Sequence, residues 1–147
     1  MDYRIGNRKD LKDILELYKQ LGNSNGSLFT VNEANKIWDN NIENNNNIKY
    51  FIAEEENKIL GSLYICIIPN LSNNGKSIGF IENVIIDEKY RNKGIGKKLM
   101  EMAIEYAKEN NCYKVTLQSG IKRTEAHKFY EKIGFNGGSK RAFELRF

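Results

Sequence analysis

The chain has 147 residues, of which 40% are hydrophobic and 11% aromatic, a composition that fits one globular domain and is not typical of a disordered protein. It contains two cysteines, Cys66 and Cys112, and one histidine, His127, too few ligands for a four-ligand structural zinc site. No apolar run approaches the roughly 18 residues that span a membrane, and residues 1–12 lack the apolar core of a secretion signal. We therefore expect a single domain over 1–147 that is cytoplasmic and holds no metal.

The net charge of +4 is divided unevenly along the chain. Residues 1–88 hold nine Lys or Arg against thirteen Asp or Glu, a net −4, and residues 89–147 hold fourteen against six, a net +8. A basic half attracts an anion. Nucleic acid and a phosphorylated cofactor are both candidates for that anion.

The N-terminal half predicts a strand, two helices and two further strands. Asn7 is a candidate helix cap, and apolar residues follow it at spacings of three and four, typical of one helix face: Leu11, Ile14, Leu15, Tyr18 and Leu21. The predicted elements of this half are a strand at 2–6, this helix, a turn at 23–27, a helix at about 31–45, and strands at 50–55 and 58–68.

The C-terminal half begins with a hairpin and continues as alternating strands and helices. The pair Asn74-Gly75 favours positive φ and therefore a hairpin. The apolar run that follows is typical of a strand covered on both faces, and the strand–helix–strand unit it starts predicts parallel strands with a right-handed crossover. The predicted elements are strands at 78–87 and 113–118, helices at about 94–110 and 122–133, and a closing strand at 141–147 in which Phe143, Leu145 and Phe147 alternate with charged residues.

The most informative segment is Arg91-Asn92-Lys93-Gly94-Ile95-Gly96-Lys97-Lys98, which follows a buried strand and opens a helix. A helix start exposes unpaired N–H groups and the positive end of the helix dipole. Gly94 and Gly96 let a phosphate approach those groups without hindrance from a Cβ. The sequence therefore predicts an anion site here, with a basic helix cap that binds nothing as the alternative.

Two common phosphate-binding motifs do not fit this segment. A Walker A loop requires glycine where the chain has Arg91 and Ser or Thr where it has Lys98. A dinucleotide-binding fingerprint requires a third glycine where the chain has Leu99. What remains is Arg-x-x-Gly-x-Gly after a strand.

In this pattern the chain resembles the GNAT superfamily of N-acetyltransferases. The family motif Gln/Arg-x-x-Gly-x-Gly/Ala is met by Arg91, Gly94 and Gly96. The later signature Phe-Tyr-Glu-x-x-Gly-Phe is met by residues 129–135. The resemblance covers nearly the whole chain and is most specific over 79–136.

The resemblance implies a fold and a cosubstrate. The fold is α/β, with a mixed, mostly antiparallel central sheet, a parallel, splayed strand pair at about 80–87 and 113–118, and flanking helices. The cosubstrate is acetyl-CoA, whose pantetheine arm would bond backbone groups near Val84 and Ile86. Its pyrophosphate would lie on the N–H groups of Arg91, Asn92, Lys93, Gly94, Ile95, Gly96 and Lys97. One departure is Arg123, where many members have an Asn near the pantetheine.

Two side chains are candidates for the proton transfers that acetyl transfer needs. The resemblance implies that Tyr130 protonates the departing thiolate, because the pKa of a phenol is about 10; an ordinary core aromatic is the alternative. Glu82 is the candidate base, directly or through water, because a carboxylate within a buried strand needs a partner or a wet cleft. Its alternative is an ion pair with Lys114 or Arg123.

Three functions follow from these observations. The leading one is acetyl transfer from acetyl-CoA to a primary amine of a small molecule or of a protein, and the acidic N-terminal half favours a cationic acceptor. A catalytically inactive acyl-CoA-binding module is the second. A nucleic-acid-binding protein is the third and the weakest, because the basic half lacks a helix-turn-helix or a pair of RNA-stacking aromatics. We expect neither nucleic acid nor a membrane as a partner, and a homodimer stays an open alternative to a monomer.

Overall fold

The computed structural model describes residues 1–22 and 29–147. The turn predicted at 23–27 lies outside the described residues. The chain divides into two compact units, residues 1–116 and 117–147, and the single domain stays a prediction. Among the described residues, no helix combines the length and the apolar character that a membrane crossing requires.

The first unit consists of a β-sheet and the helices that flank it. Its strands are β1 (Asp2–Ile5), β2 (Ile48–Glu55), β3 (Lys58–Ile68), β4 (Ser77–Ile86) and β5 (Cys112–Leu117), the last of which ends one residue beyond the unit. Its α-helices are α1 (Leu11–Tyr18), α2 (Val31–Ile37) and α3 (Ile95–Glu109).

The five strands lie in the order in which they occur in the chain. The first four form antiparallel pairs, and β4 and β5 are parallel. A parallel pair needs a crossover connection, which α3 supplies. The mixed, mostly antiparallel sheet predicted from the sequence is confirmed, and so is its parallel pair.

Side-chain caps begin the helices of the N-terminal half. The side chain of Asn7 accepts a hydrogen bond from the Lys9 N–H, and the carboxylate of Asp10 accepts one from the Asn7 N–H. Together they form a capping box before α1. A second capping box, Thr30 with Glu33, begins α2. The helix predicted at 31–45 is α-helical only to Ile37 and continues as a π-helical turn over Trp38–Ile42.

The two faces of the sheet are covered by different helices. On one face the close approach of α3 requires a glycine, because a Cβ on Gly61 would lie 3.1 Å from the side chain of Leu99 and 2.7 Å from that of Ile86. On the other face α1 packs a buried cluster against the sheet: Ile14, Leu17, Ile52, Ile59 and Ile85. Burial of about five such side chains, each worth roughly 1.5–3 kcal/mol, holds α1 in place.

Asparagine occupies most of the left-handed backbone positions. Among the described residues, seven other than glycine have positive φ, and six of them are asparagine: Asn57, Asn73, Asn74, Asn83, Asn92 and Asn111. In the predicted hairpin, Asn74 has φ 58° and Gly75 has φ 73°, and the antiparallel pairing of β3 with β4 confirms that hairpin.

The second unit contains helix α4 (Thr124–Lys132). The closing strand predicted at 141–147 is wrong: these residues have no regular secondary structure, and the side chains of Phe143 and Leu145 are 87% and 80% exposed. Alternating apolar and charged residues indicate which face of a strand would be buried, but a strand forms only where a neighbouring backbone pairs with it.

Candidate active site

The anion site predicted at the start of α3 has the backbone geometry of an uncapped helix end. The chain turns through left-handed positions at Asn92 (φ 62°) and Gly94 (φ 83°) before the helix begins at Ile95. No side chain caps this helix. The first three N–H groups of α3 therefore point out of the helix without an intrahelical acceptor, and a Cβ placed on Gly94 would meet no atom within 4 Å.

The basic residues around this helix start differ in what they contact. Arg91 donates a hydrogen bond from Nε to the carbonyl oxygen of Ile86 at 3.2 Å, so it ties the turn to the end of β4. The Lys93 ammonium lies 4.7 Å from the ring centroid of Tyr90. Lys97 is exposed and forms only a loose ion pair, 3.8 Å long, with Glu101. The charge of Lys97 thus stays available to an anion.

Asp87 anchors the turn that leads to the helix start. Its buried carboxylate accepts hydrogen bonds from the Lys89 N–H at 3.0 Å and from Lys58 Nζ at 3.3 Å. Burial alone raises the pKa of this carboxyl group, but the two hydrogen bonds outweigh it, and the pKa of Asp87 lies below its usual value.

Strand β4 contains a bulge next to the candidate base. Ser62 lies opposite Ile85 and Tyr64 lies opposite Glu82, so Leu63 alone faces two residues of β4. The first of these two residues is Asn83, whose φ of 52° is left-handed. A bulge interrupts the hydrogen-bond ladder and redirects side chains. Here it consists of Asn83 and Val84 and separates Glu82 from the strand end that contains Ile86.

Glu82 is half-buried. It lies on the same face of the sheet as Ile85, against which α1 packs. It lies directly opposite Tyr64, and within the described residues it forms no ion pair. Lys114, one partner expected from the sequence, has its ammonium 5.3 Å from the ring centroid of Tyr113. Burial first, and the charge of Glu82 second, raise the pKa of Tyr64.

A row of aromatic rings beside Glu82 was not predicted from the sequence. Tyr50 and Tyr64 are partners in the pairing of β2 with β3, and their rings stack with centroids 5.0 Å apart. Trp38 lies on the other side of Tyr50, with ring centroids 5.3 Å apart. We call Trp38, Tyr50 and Tyr64 the aromatic row. Alternation along each strand indicates which face these side chains occupy, but it does not indicate the pairing that aligns them with Glu82.

Two hydroxyl groups near the aromatic row are buried without a hydrogen bond of regular geometry. Tyr18 Oη and Ser62 Oγ make no hydrogen bond of regular geometry within the described part of the chain, although the two hydroxyl groups are close enough to interact. Burial raises the pKa of Tyr18 to about 12. Ser62 is fully buried, so its hydroxyl has lost its hydration and gained only this contact with Tyr18.

Tyr130, the candidate acid, belongs to the second unit. It lies on α4 with 8% of its surface exposed. Its ring contacts those of Phe129 and Phe135, with centroids 5.2 Å and 6.2 Å away. These contacts fix the ring, and its catalytic role stays a prediction.

Comparisons with known proteins agree with this geometry. The sequence profile described as "Acetyltransferase (GNAT) family" matches residues 10–135. The glucosamine 6-phosphate N-acetyltransferase of Trypanosoma brucei brucei is 38% identical over 87 residues, which are 59% of this chain and 57% of that protein. The N-alpha-acetyltransferase 30 of Xenopus laevis is 42% identical over 57 residues, 39% of this chain and 21% of that protein.

A solved structure from Agrobacterium tumefaciens str. C58 matches with a TM-score of 0.91 and 33% identity, and the match covers 100% of both chains. The chain spans about half the length of the curated relatives it matches. Because the profile covers most of the sequence, and the helix start and the mixed sheet fit it, the chain belongs to the GNAT family of acetyltransferases.

Proposed function

We propose that this chain transfers the acetyl group of acetyl-CoA to a primary amine, and that the deprotonated amine attacks the thioester directly in a ternary complex. The observation that carries the proposal is the uncapped start of α3 after the left-handed Gly94, with open space where a side chain would lie. Free N–H groups and the helix dipole together bind phosphate.

The residues at the strand end and the helix start fit acetyl-CoA. The pyrophosphate would be held by the N–H groups of 91–97, and the exposed Lys97 would add positive charge. The pantetheine arm would bond backbone groups of Val84, in the bulge of β4, and of Ile86, beyond it. When bound, acetyl-CoA supplies an activated acyl group.

The chain's own side chains would move two protons. Glu82, directly or through water, accepts a proton from the protonated amine. The amine nitrogen then forms a bond to the acetyl carbon while the bond between that carbon and sulfur breaks. Tyr130 donates its phenolic proton to the leaving sulfur, and the second proton, which the nitrogen loses as the amide forms, passes through water to the phenolate and restores the phenol. General acid–base help of this kind is typically worth 10²–10⁴-fold in rate.

The relatives suggest an order in which to test acceptors. The alignment with the glucosamine 6-phosphate enzyme covers more of both chains than the alignment with the N-alpha-acetyltransferase. We therefore propose glucosamine 6-phosphate as the first acceptor and the N-terminus of a peptide as the second.

The proposal is tested by a thermal melt followed by an assay of thiol release. Acetyl-CoA at about 100 times its dissociation constant should stabilise the protein by roughly 2.7 kcal/mol. A flat melt in millimolar acetyl-CoA contradicts the cosubstrate. A shifted melt without thiol release from any amine favours the inactive acyl-CoA-binding module, and salt-dependent DNA binding without a shift favours the nucleic-acid-binding protein.

A further inference from the structure

We propose that Asn136 and Gly137 form a site of spontaneous modification, at which the backbone nitrogen of Gly137 attacks the side-chain amide of Asn136 and converts the asparagine to aspartate or isoaspartate. The site lies in the second unit, between α4 and residues 141–147. The reaction needs neither acetyl-CoA nor an acceptor amine, so it goes beyond the proposed function and does not depend on it.

The chain contains three Asn-Gly pairs, and the structure describes two of them. These are Asn74-Gly75 and Asn136-Gly137, and the pair at 25–26 lies outside the described residues. An asparagine cyclises most readily before glycine, because glycine has no Cβ to hinder the attack of its own nitrogen. The sequence does not distinguish the pairs, but the hydrogen bonds around the two described pairs differ.

The loop after α4 activates the side-chain carbonyl group of Asn136. The N–H of Gly138 donates a hydrogen bond to Asn136 Oδ1 at 2.9 Å, which forms an Asx turn and folds the side chain back towards the following peptide. When the Gly137 nitrogen attacks Cγ, negative charge develops on Oδ1. The Gly138 N–H then stabilises this charge, as a donor in an oxyanion hole does.

The Gly137 nitrogen is free to attack and has a carboxylate beside it. Within the described part of the chain, its N–H donates no hydrogen bond. A Cβ placed on Gly137 would lie 3.2 Å from Oε1 of Glu131. The loop is tied to α4 by a hydrogen bond from the Phe135 N–H to the Tyr130 carbonyl oxygen at 3.0 Å. Glu131 is therefore in place to accept the proton of the attacking nitrogen, directly or through water.

The pair Asn74-Gly75 lacks these three features. The N–H of Gly75 donates a hydrogen bond to the Ser72 carbonyl oxygen at 3.1 Å, so its nitrogen is already engaged. Among the residues that the structure describes, no donor bonds to the Asn74 side chain, and no atom lies within 4 Å of a Cβ placed on Gly75. The fold therefore favours reaction at Asn136.

The reaction consumes water and releases ammonia. The Gly137 nitrogen forms a bond to Asn136 Cγ and gives its proton to Glu131. The bond between Cγ and Nδ2 breaks, and Nδ2 takes up that proton and leaves as ammonia. Water then opens the cyclic imide at either carbonyl carbon, which gives aspartate or isoaspartate. Both products add a negative charge at pH 7, and isoaspartate also lengthens the backbone by a methylene group.

The test compares the two described pairs in folded wild-type protein kept in mildly alkaline buffer. Mass spectrometry detects the replacement of an amino group by a hydroxyl group, and fragmentation of the peptides assigns it to Asn136 or Asn74. We expect Asn136 to convert at least about tenfold faster than Asn74, because general acid–base help is typically worth 10²–10⁴-fold. In urea, where the loop loses its structure, the two pairs should convert at similar rates.

A variant tests the carboxylate. Glu131→Gln should slow conversion at Asn136 by about tenfold or more and leave Asn74 unchanged. Glu125→Gln, the same change in the first turn of α4, is the matched control and should convert as the wild type does.

Equal rates at the two pairs in the folded protein overturn the inference, and so does a rate ratio that is the same in urea. Wild-type conversion in Glu131→Gln overturns the role of the carboxylate. If Glu131→Gln does not fold, the comparison of the two pairs in the wild type still decides.

Discussion

Replacing Gly94 by alanine tests two separate effects at the start of α3: the strain of a left-handed backbone at residue 94, and the loss of acetyl-CoA binding. Gly94 has φ 83°, and a Cβ at this position would meet no atom within 4 Å, so the substitution creates no clash within the protein. An L-residue in the left-handed region costs roughly 1–2 kcal/mol. For a chain of this size, each kcal/mol lowers the melting temperature by about 2–4 °C.

Acetyl-CoA affinity should fall for a different reason. The new methyl group would occupy the space through which a phosphate approaches the N–H groups of α3. Overpacking of this kind costs typically 1–3 kcal/mol, which corresponds to about 5- to 150-fold in the dissociation constant. Isothermal titration calorimetry measures this loss directly, and a thermal melt without ligand measures the backbone cost.

Gly75→Ala is the matched control. Gly75 has φ 73°, and a Cβ there would also meet no atom within 4 Å. It precedes β4, whose ten residues span about 30 Å, whereas Gly94 follows the end of that strand. Both variants should lose similar stability, and only Gly94→Ala should lose acetyl-CoA affinity. Wild-type affinity in Gly94→Ala would place the phosphates elsewhere.

Three further predictions concern the acid, a buried hydroxyl and a buried carboxylate. Tyr130→Phe keeps the ring contacts of α4 and removes only the phenolic proton. Steady-state kinetics should therefore show turnover about 10²-fold lower, with acetyl-CoA affinity retained. Unchanged turnover in a stable variant would mean that Tyr130 is only a core aromatic residue. Ser62→Ala removes a buried hydroxyl that makes no hydrogen bond of regular geometry, and because such a group costs roughly 1–3 kcal/mol, the melting temperature should rise; a fall would show that its contact with the Tyr18 hydroxyl stabilises the fold. The lowered pKa of Asp87 means that its carboxylate stabilises the fold above about pH 4 and that this contribution is lost as the pH falls through the lowered value. Urea titrations should therefore show a stability gap between wild type and Asp87→Asn at pH 7 that closes in acid, and a gap independent of pH contradicts the assignment.

Local patterns predicted the strands and helices of the first unit closely. The strand predicted at 58–68 is β3 without change, and the helix predicted at 94–110 is α3 over 95–109. In both elements the apolar residues are regularly spaced and turn residues mark the ends. The hairpin at Asn74-Gly75 was predictable because both residues are suited to positive φ. The π-helical turn at Trp38–Ile42 was missed because an apolar period of three to four residues does not distinguish an extra residue in one turn.

The parts that were missed depend on contacts between distant residues. Alternation places Tyr64 on one face of β3, but its alignment with Glu82 depends on the hairpin and on the bulge at Asn83. The strand expected at 141–147 failed for the same reason, because alternation cannot supply a pairing partner. The start of α3 was predictable because its N–H groups, glycines and basic residues all lie within eight consecutive positions.

The left-handed asparagines affect the conformational entropy that this chain loses when it folds. Twenty of its residues are asparagine, and six of them hold backbone conformations that are usually left to glycine. Glycine would adopt these angles without strain, but it would also give the unfolded chain more conformations to lose, a cost of the order of 0.4–1 kcal/mol at each site. Asparagine tolerates the left-handed region at a smaller entropic cost. These six asparagines thus restrain the unfolded chain at positions where glycine would be the usual choice, and they limit the conformational freedom that folding must remove.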